Sequence, residues 1–176
     1  IRDHCVTGVQ TCALPICWEF RYLRNLFAGR DKTVFLQAVL LHPDRLAGIP
    51  EPPVVRASAS RAFDDCDATA LPDSEAEWLK FDTIILGDVD PDQLGEDGIR
   101  AIETFVRQQG GSLVVVAGRN AMPHAYRSSR LADLLPVKLD GPRFQTAISP
   151  ESAFYLTTTI DGLAHVILQQ IGRAHV

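Results

Sequence analysis

The sequence predicts an α/β fold with a three-layer, mostly parallel sheet, and two apolar runs support that prediction. Residues 83–86 are apolar or β-branched without alternation, and a glycine and two acids follow them. Such a run suits a strand that is buried on both faces. A second run, residues 112–117, follows a glycine pair and a segment of helical length, residues 95–109. Together these segments make a strand–helix–strand unit, whose crossover we expect to be right-handed.

The part of the chain before these strands predicts a helix, a strand and a short helix. Residues 18–28 place aromatic and apolar side chains on one helical face, and Gly29 suits the end of that helix. Residues 32–41 are rich in apolar and β-branched residues, which is typical of a strand. Residues 74–77 match a capping box, so a short helix is expected before the strand 81–86.

The part of the chain after residue 90 predicts a turn, a long helix and shorter elements. Residues 91–94 suit a turn, and Ile99, Ile102 and Phe105 then share one face of a helix. Residues 129–135 predict a short helix. Residues 137–139 and 154–159 are candidate strands, and the type of the segment 161–169 is left open.

Both ends of the chain resemble a translated short-read sequencing adapter. Residues 1–16, IRDHCVTGVQTCALPI, and residues 171–176, IGRAHV, match it in frame. The expected organisation is therefore a single truncated domain at 17–170 between two non-native segments, and the alternative is a genuine N-terminal tail. Of the four cysteines, Cys66 alone then lies clear of the adapter, which leaves no internal disulfide and no zinc site.

A helix that feeds a strand at the start of an α/β domain normally has a strand before it. We expect that native first strand to be missing, with strands 32–41 and 81–86 on either side of its position and a strand order of 2-1-3-4. The empty position would expose two rows of unpaired backbone groups. Residues 9–14 are apolar enough to fill it as a strand.

Length and charge limit the classes of protein to which the chain can belong. The chain has 176 residues and a net charge of −5, which suits one mildly acidic globular domain. It has no basic cluster of the kind that binds nucleic acid and no apolar run of membrane-spanning length. No cofactor is predicted.

Five segments of the chain together resemble one family. They are WEFRYLRNLF, KTVFLQAVLL, LKFDTIILGDVDP, FVRQQGGSLVVVAG and LADLLPV. In this combination they resemble the class I glutamine amidotransferase-like domains of bacterial membrane-associated proteins, over most of residues 18–136. The resemblance implies a flavodoxin-like fold and a parent protein of the bacterial cell envelope. It also implies that the parent is membrane-anchored and carries a von Willebrand type A domain.

Working class I amidotransferases hydrolyse glutamine with a cysteine on a sharp strand-to-helix elbow, which a histidine and a glutamate activate. Here the corresponding position reads Gly118-Arg119-Asn120-Ala121, and the His-x-Glu pair is absent. Cys66 lies upstream, in a segment without a clear period. We therefore expect no catalytic residues and a binding or scaffolding module with an unknown ligand or protein partner. A von Willebrand type A domain is disfavoured because the chain has no D-x-S-x-S motif.

The carboxyl ends of the predicted strands carry the candidate ligand-binding residues, because ligands of parallel sheets bind at that edge. Asp88 and Asp90 follow the first apolar run in a D-x-D pattern, as in haloacid dehalogenase-type phosphatases. This leaves open a hydrolase or metal-dependent enzyme, against the alternative of a solvated turn. Arginines of the loop after the second run suit an anion, and the alternative is a polar surface loop that Met122 and Tyr126 pack. The predicted ligand-binding set is Asp88, Asp90, Arg119, Asn120, His124 and Arg127.

Overall fold

A computed structural model describes residues 6–12, 18–31, 33–41, 53–118, 120–139 and 159–165. The chain divides into two compact units, Ile1–Gly141 and Pro142–Val176. The first unit contains the sheet and most of the described helices. In the second unit, the described residues form the short helix α4, Ile160–Ala164, with Thr159 as its N-cap. The domain limits given above from the sequence stay a prediction.

The first unit is a mixed α/β fold built on five parallel strands. The strands are β1 Val6–Cys12, β2 Val34–Leu40, β3 Asp67–Ala68, β4 Thr83–Leu86 and β5 Ser112–Val115. Their order across the sheet is β3-β2-β1-β4-β5. In register, Gln10 of β1 pairs with Ala38 on one side and with Ile85 on the other, and Ile85 pairs with Val114.

Strand β1 lies in the centre of the sheet, between β2 and β4. This is the position predicted for the missing first strand, and the predicted 2-1-3-4 order is confirmed with β1 in that place. The strand begins three residues earlier than the segment 9–14 that we expected to fill it. Edge strand β3 was not predicted, because its two residues are too few to show a period.

The first helix is longer than predicted. Helix α1, Trp18–Arg24, continues as a π-helical turn, Asn25–Arg30, so the predicted end at Gly29 is wrong. The chain leaves the turn at Asp31, whose backbone N–H donates to the carbonyl of Leu26 at 2.7 Å. Strand β2 then starts after Thr33 and is buried through residues 35–39, which confirms the strand predicted there.

Helix α2, Glu75–Trp78, forms where a short helix was predicted, but the side chain of its N-cap Ser74 makes no capping hydrogen bond. The capping box predicted at 74–77 is therefore wrong. Helix α3, Pro91–Arg107, includes the residues predicted to form a turn, and Gly95 (φ 67°, ψ 166°) separates that first turn from the rest. Only a residue that tolerates a positive φ can make this break without strain.

The core of the first unit forms between β4, α3 and the segment after β5. Helix α3 contributes the face predicted from the sequence, since Ile99, Ile102 and Phe105 are all buried. The segment after β5 contributes three side chains that are 0–1% exposed, from Met122, Tyr126 and Leu131. That segment contains two short 3-10 helices, His124–Tyr126 and Arg130–Leu134. The second confirms the helix predicted at 129–135, with Ser129 as its side-chain N-cap.

The remaining predicted elements differ or lie outside the described residues. Residues 137–139 are irregular, so the strand predicted there is wrong. The candidate strand 154–159 lies outside the described residues except for Thr159. Within the described ranges, no helix is both long enough and apolar enough to cross a membrane.

Candidate functional site at the carboxyl edge of the sheet

Asp88 lies two residues beyond β4, and its carboxylate accepts four hydrogen bonds from the segment after β5. Oδ1 accepts the backbone N–H groups of Ala121 and Met122, both at 2.8 Å. Oδ2 accepts the backbone N–H of Asn120 at 2.9 Å and its side-chain Nδ2 at 2.8 Å. We call Asp88, Gly118 and residues 120–122 the Asp88 clamp. The clamp joins the ends of two neighbouring strands.

Gly118 is part of the clamp because only a residue without a side chain fits against Asp88. A Cβ placed on Gly118 would lie 2.0 Å from Cγ of Asp88 and 2.2 Å from its Oδ2. The backbone N–H of Gly118 also donates to the carbonyl of Met122 at 2.9 Å, which closes the loop on itself. Gly118 therefore has a packing role here.

The clamp keeps Asp88 ionised. Burial alone would raise the pKa of this half-buried carboxyl, but the backbone donors of Met122, Ala121 and Asn120, with the Asn120 amide, lower it by more. The net result is a pKa below the ordinary value for aspartate. A negative charge at neutral pH is thus held by backbone dipoles and one side-chain amide.

Tyr126 supports the clamp from the core side. Its hydroxyl donates to the carbonyl of Val89 at 2.8 Å, and both residues are fully buried. Burial raises the pKa of Tyr126 above its ordinary value, and the charges of Asp90 and Asp88 add to the rise. The hydroxyl therefore remains a neutral donor over the physiological range.

Asp90 begins helix α3. Its side chain accepts the backbone N–H of Asp92 at 3.0 Å, and its own backbone N–H donates to Oε1 of Gln93 at 3.4 Å. This is a capping box, with Pro91 at the first helical position. The two acids of the D-x-D pattern thus have different structural roles. Asp88 is the acceptor of the clamp, and Asp90 caps helix α3.

The structure brings together part of the predicted ligand-binding set. Asp88 and Asn120 are in direct contact. His124 is half-buried at the start of the first 3-10 helix, and Arg127 is exposed just after it. Arg119 lies outside the described residues. As a ligand site the set stays a prediction, because no ligand contact tests it.

Sequence reasoning gave Gly118 no packing role, although this residue shapes the edge. A glycine after an apolar strand was a usable signal for close backbone approach. The packing of this loop by Met122 and Tyr126 was expected from the sequence as the alternative to a ligand site, and both side chains are fully buried.

Cys66, a buried free cysteine, lies far from this edge. It precedes β3, and its carbonyl accepts the backbone N–H of Ala38 in the middle of β2 at 2.7 Å. Four interstrand steps separate β3 from β5, which puts Cys66 roughly 19 Å from the end of β5.

Within the described residues, no group of three or more His, Cys, Asp or Glu side chains is arranged to hold a metal ion. Comparison with protein-family models, with curated proteins and with solved structures finds no match.

Proposed function

We propose that the chain is a flavodoxin-like, class I glutamine amidotransferase-like domain that has lost catalysis and acts as a binding or scaffolding module. Its parent would be a larger bacterial envelope protein, as the sequence resemblance implies. The parallel sheet, with a strand–helix–strand unit of β4, α3 and β5, is compatible with that fold.

The main support for the proposal is that the backbone N–H groups after β5 already donate hydrogen bonds within the chain. Amide hydrolysis through a tetrahedral intermediate needs preorganised N–H groups that face the developing oxyanion. Here the N–H groups of Asn120, Ala121 and Met122 already donate to the carboxylate of Asp88. A fixed negative charge at that place would repel an oxyanion instead of stabilising it.

Cys66 is poorly suited to replace the absent nucleophile. Burial raises the pKa of its thiol, and the neighbouring charge of Asp67 adds to the rise. Its Sγ lies 3.6 Å from Oδ1 of Asp67, the geometry of a protonated thiol that donates. The thiolate is the reactive species, so this environment disfavours nucleophilic attack.

The test is ammonia release from glutamine by the full chain, measured beside the variant Cys66→Ser. We expect no release above the buffer rate from either protein, with circular dichroism showing that both are folded. Release by the wild type that disappears in Cys66→Ser would overturn the proposal.

The alternative enzyme, a metal-dependent hydrolase that uses Asp88 and Asp90, is less well supported by the geometry. Asp88 accepts four protein hydrogen bonds, and Asp90 caps α3. Magnesium should therefore leave the unfolding temperature unchanged, and p-nitrophenyl phosphate should not be hydrolysed. Magnesium-dependent hydrolysis that Asp88→Asn abolishes would establish this alternative in place of the binding module.

A further inference from the structure

A cleft of about 300 Å³ opens between the first half of helix α3 and helix α2 with the segment before it. Its described lining residues fall in two short stretches, 71–78 and 94–100. Both stretches lie well inside the range 53–118, in which every residue is described. Cavities of roughly 300 Å³ are at the small end of ligand sites in proteins, so a ligand with a single six-membered ring suits this one.

Trp78 is a buried side chain of the cleft lining and brings an unused hydrogen-bond donor to it. The residue is 3% exposed, and its indole N–H donates to no acceptor within the described part of the chain. The ring edge beside that nitrogen faces α3 at Gly98, because a Cβ placed on Gly98 would lie 3.9 Å from Cζ2 of Trp78. Gly98 also lines the cleft and has no side chain to cover this edge. Since a buried indole N–H usually has a partner, the cleft offers a donor that a ligand can use.

The charge of the lining is mainly negative. Three of the ten described lining residues are acids, and one is a cation, Arg100. Arg100 is already compensated, since its Nη2 lies 2.6 Å from Asp97 and its Nε lies 4.0 Å from Glu75. The third acid, Asp73, is exposed and makes no ion pair or hydrogen bond with the described residues. The local field of the lining therefore favours a cation, and Asp73 is the carboxylate that is open to it.

We propose that this cleft binds a small organic ammonium that also carries a hydroxyl group, with the ammonium on Asp73 and the hydroxyl oxygen on the indole N–H of Trp78. The inference rests on the proposed function, since it names a ligand class for the binding module. An ammonium forms charge-assisted hydrogen bonds with a carboxylate, and a hydroxyl oxygen accepts from an N–H. A carboxylate on the ligand would also accept from the indole, but the acids of the lining repel it. Leu71 and Leu94 give the hydrocarbon part of the ligand an apolar surface to cover.

The probe is trans-4-aminocyclohexanol, titrated into the full chain at neutral pH, where its amine is protonated. Two ligands with the same ring are the controls, cyclohexane-1,4-diol without the charge and cyclohexylammonium without the hydroxyl. We expect the probe to shift the indole N–H resonance of Trp78 and the amides of residues 73–75 and 97–98. Each control should bind about fivefold more weakly, because it lacks one of the two polar contacts. Absence of binding at millimolar probe, or equal binding of either control, would overturn the proposal.

A pair of acid variants locates the ammonium. Asp73→Asn should weaken binding of the probe about fivefold and leave binding of the diol unchanged, because it removes only the charge. Glu96→Gln is the matched control, since Glu96 is an exposed acid of α3 that does not line the cleft. Equal weakening by Glu96→Gln would show only a general charge effect and would overturn the site.

Trp78→Phe tests the indole donor. The variant keeps an aromatic ring in the core and removes the N–H, so the probe should bind no more tightly than cyclohexylammonium does. A preference for the probe that persists in folded Trp78→Phe would overturn the role of the indole. If the variant does not fold, the wild-type titration makes the same test, because the indole N–H of Trp78 should shift strongly with the probe and little with cyclohexylammonium. Equal shifts with the two ligands would overturn the proposal.

The two proposals fail separately. If the probe does not bind and glutamine is not hydrolysed, the cleft proposal alone is wrong. If the probe binds and glutamine is hydrolysed, the loss of catalysis alone is wrong.

Discussion

Two polar regions lie along the sheet, and they hold their acidic groups in different ways. The Asp88 clamp surrounds one half-buried carboxylate with backbone N–H groups and an amide. The second region, which we call the outer network, lies at the β2–β3 edge and comprises Arg24, Gln37, Arg61, Asp65 and Asp67. There Arg24 forms a bidentate pair with Asp67, although their side chains are 41% and 58% exposed.

The outer network has one buried member. Gln37 is fully buried, and its Nε2 donates to the carbonyl of Asp65 at 2.8 Å while its Oε1 accepts from Nη1 of Arg61 at 2.8 Å. The contact between Arg24 and Asp67 joins two side chains in solvent, where ordering both partners offsets most of the attraction. The donors of the clamp are already fixed by the loop. We therefore expect the clamp to contribute more to stability than the exposed pairs do.

The largest effect should come from Gly118→Ala. The added methyl would overlap the carboxylate of Asp88, so the loop must move and break the clamp, at a cost of about 3 kcal/mol in the free energy of unfolding. Urea unfolding measures the change. Gly98→Ala is the matched control, because its Cβ would meet Leu94 and Trp78 at ordinary distances of 3.7 and 3.9 Å. Equal losses in both variants would contradict the clamp.

Asp88→Asn should have the second-largest effect. The free energy of unfolding should fall by about 2 kcal/mol at neutral pH, because three backbone donors then lose a charged acceptor. Since the folded-state pKa of Asp88 is depressed, its contribution is present above the unfolded pKa and is lost as pH falls through the folded value. The difference between the two proteins should thus shrink below about pH 4. A difference that is constant from pH 7 to pH 3 would count against the ionised clamp.

Tyr126→Phe should lower the free energy of unfolding by about 1 kcal/mol, because the buried carbonyl of Val89 loses its donor. Burial raises the folded-state pKa of Tyr126, so the stabilisation is complete below the unfolded pKa and declines as pH rises through the folded value. The difference in the free energy of unfolding between the wild type and Tyr126→Phe should therefore decrease above about pH 10. Unfolding curves at pH 7 and at alkaline pH test this. An undiminished advantage in alkali would show that the hydroxyl does not titrate as proposed.

Arg24→Gln should have the smallest effect, about 0.5 kcal/mol, because the pair with Asp67 is exposed to solvent. High salt should remove most of that difference, since screening weakens exposed pairs. The salt series in urea unfolding is the measurement. A loss larger than that of Asp88→Asn would reverse the comparison between the clamp and the outer network.

The sequence predicted the main strands and their order well, because β2, β4 and β5 are each a local apolar run, although the edge strand β5 is less buried than the run suggested, with Val114 46% exposed. It also placed a strand between β2 and β4, since the flanking strands leave unpaired backbone groups that some segment must satisfy. It missed β3, whose pairing is set by the backbone of Ala38 and Val39 and not by a pattern of its own. It placed Asp88 and Asn120 at one edge, which the structure confirms by their contact.

By itself, then, the sequence determined which segments could be strands and helices, and that residues 116–121, directly after β5, include no cysteine. Only the tertiary structure decided what the two acids of the D-x-D pair do. Asp88 and Asp90 have the same chemistry and nearly the same neighbours along the chain, yet one is held by residues 120–122 and the other caps the helix beside it. The physical reason is that the donors for Asp88 are more than thirty residues away and meet it only when β4 and β5 pair.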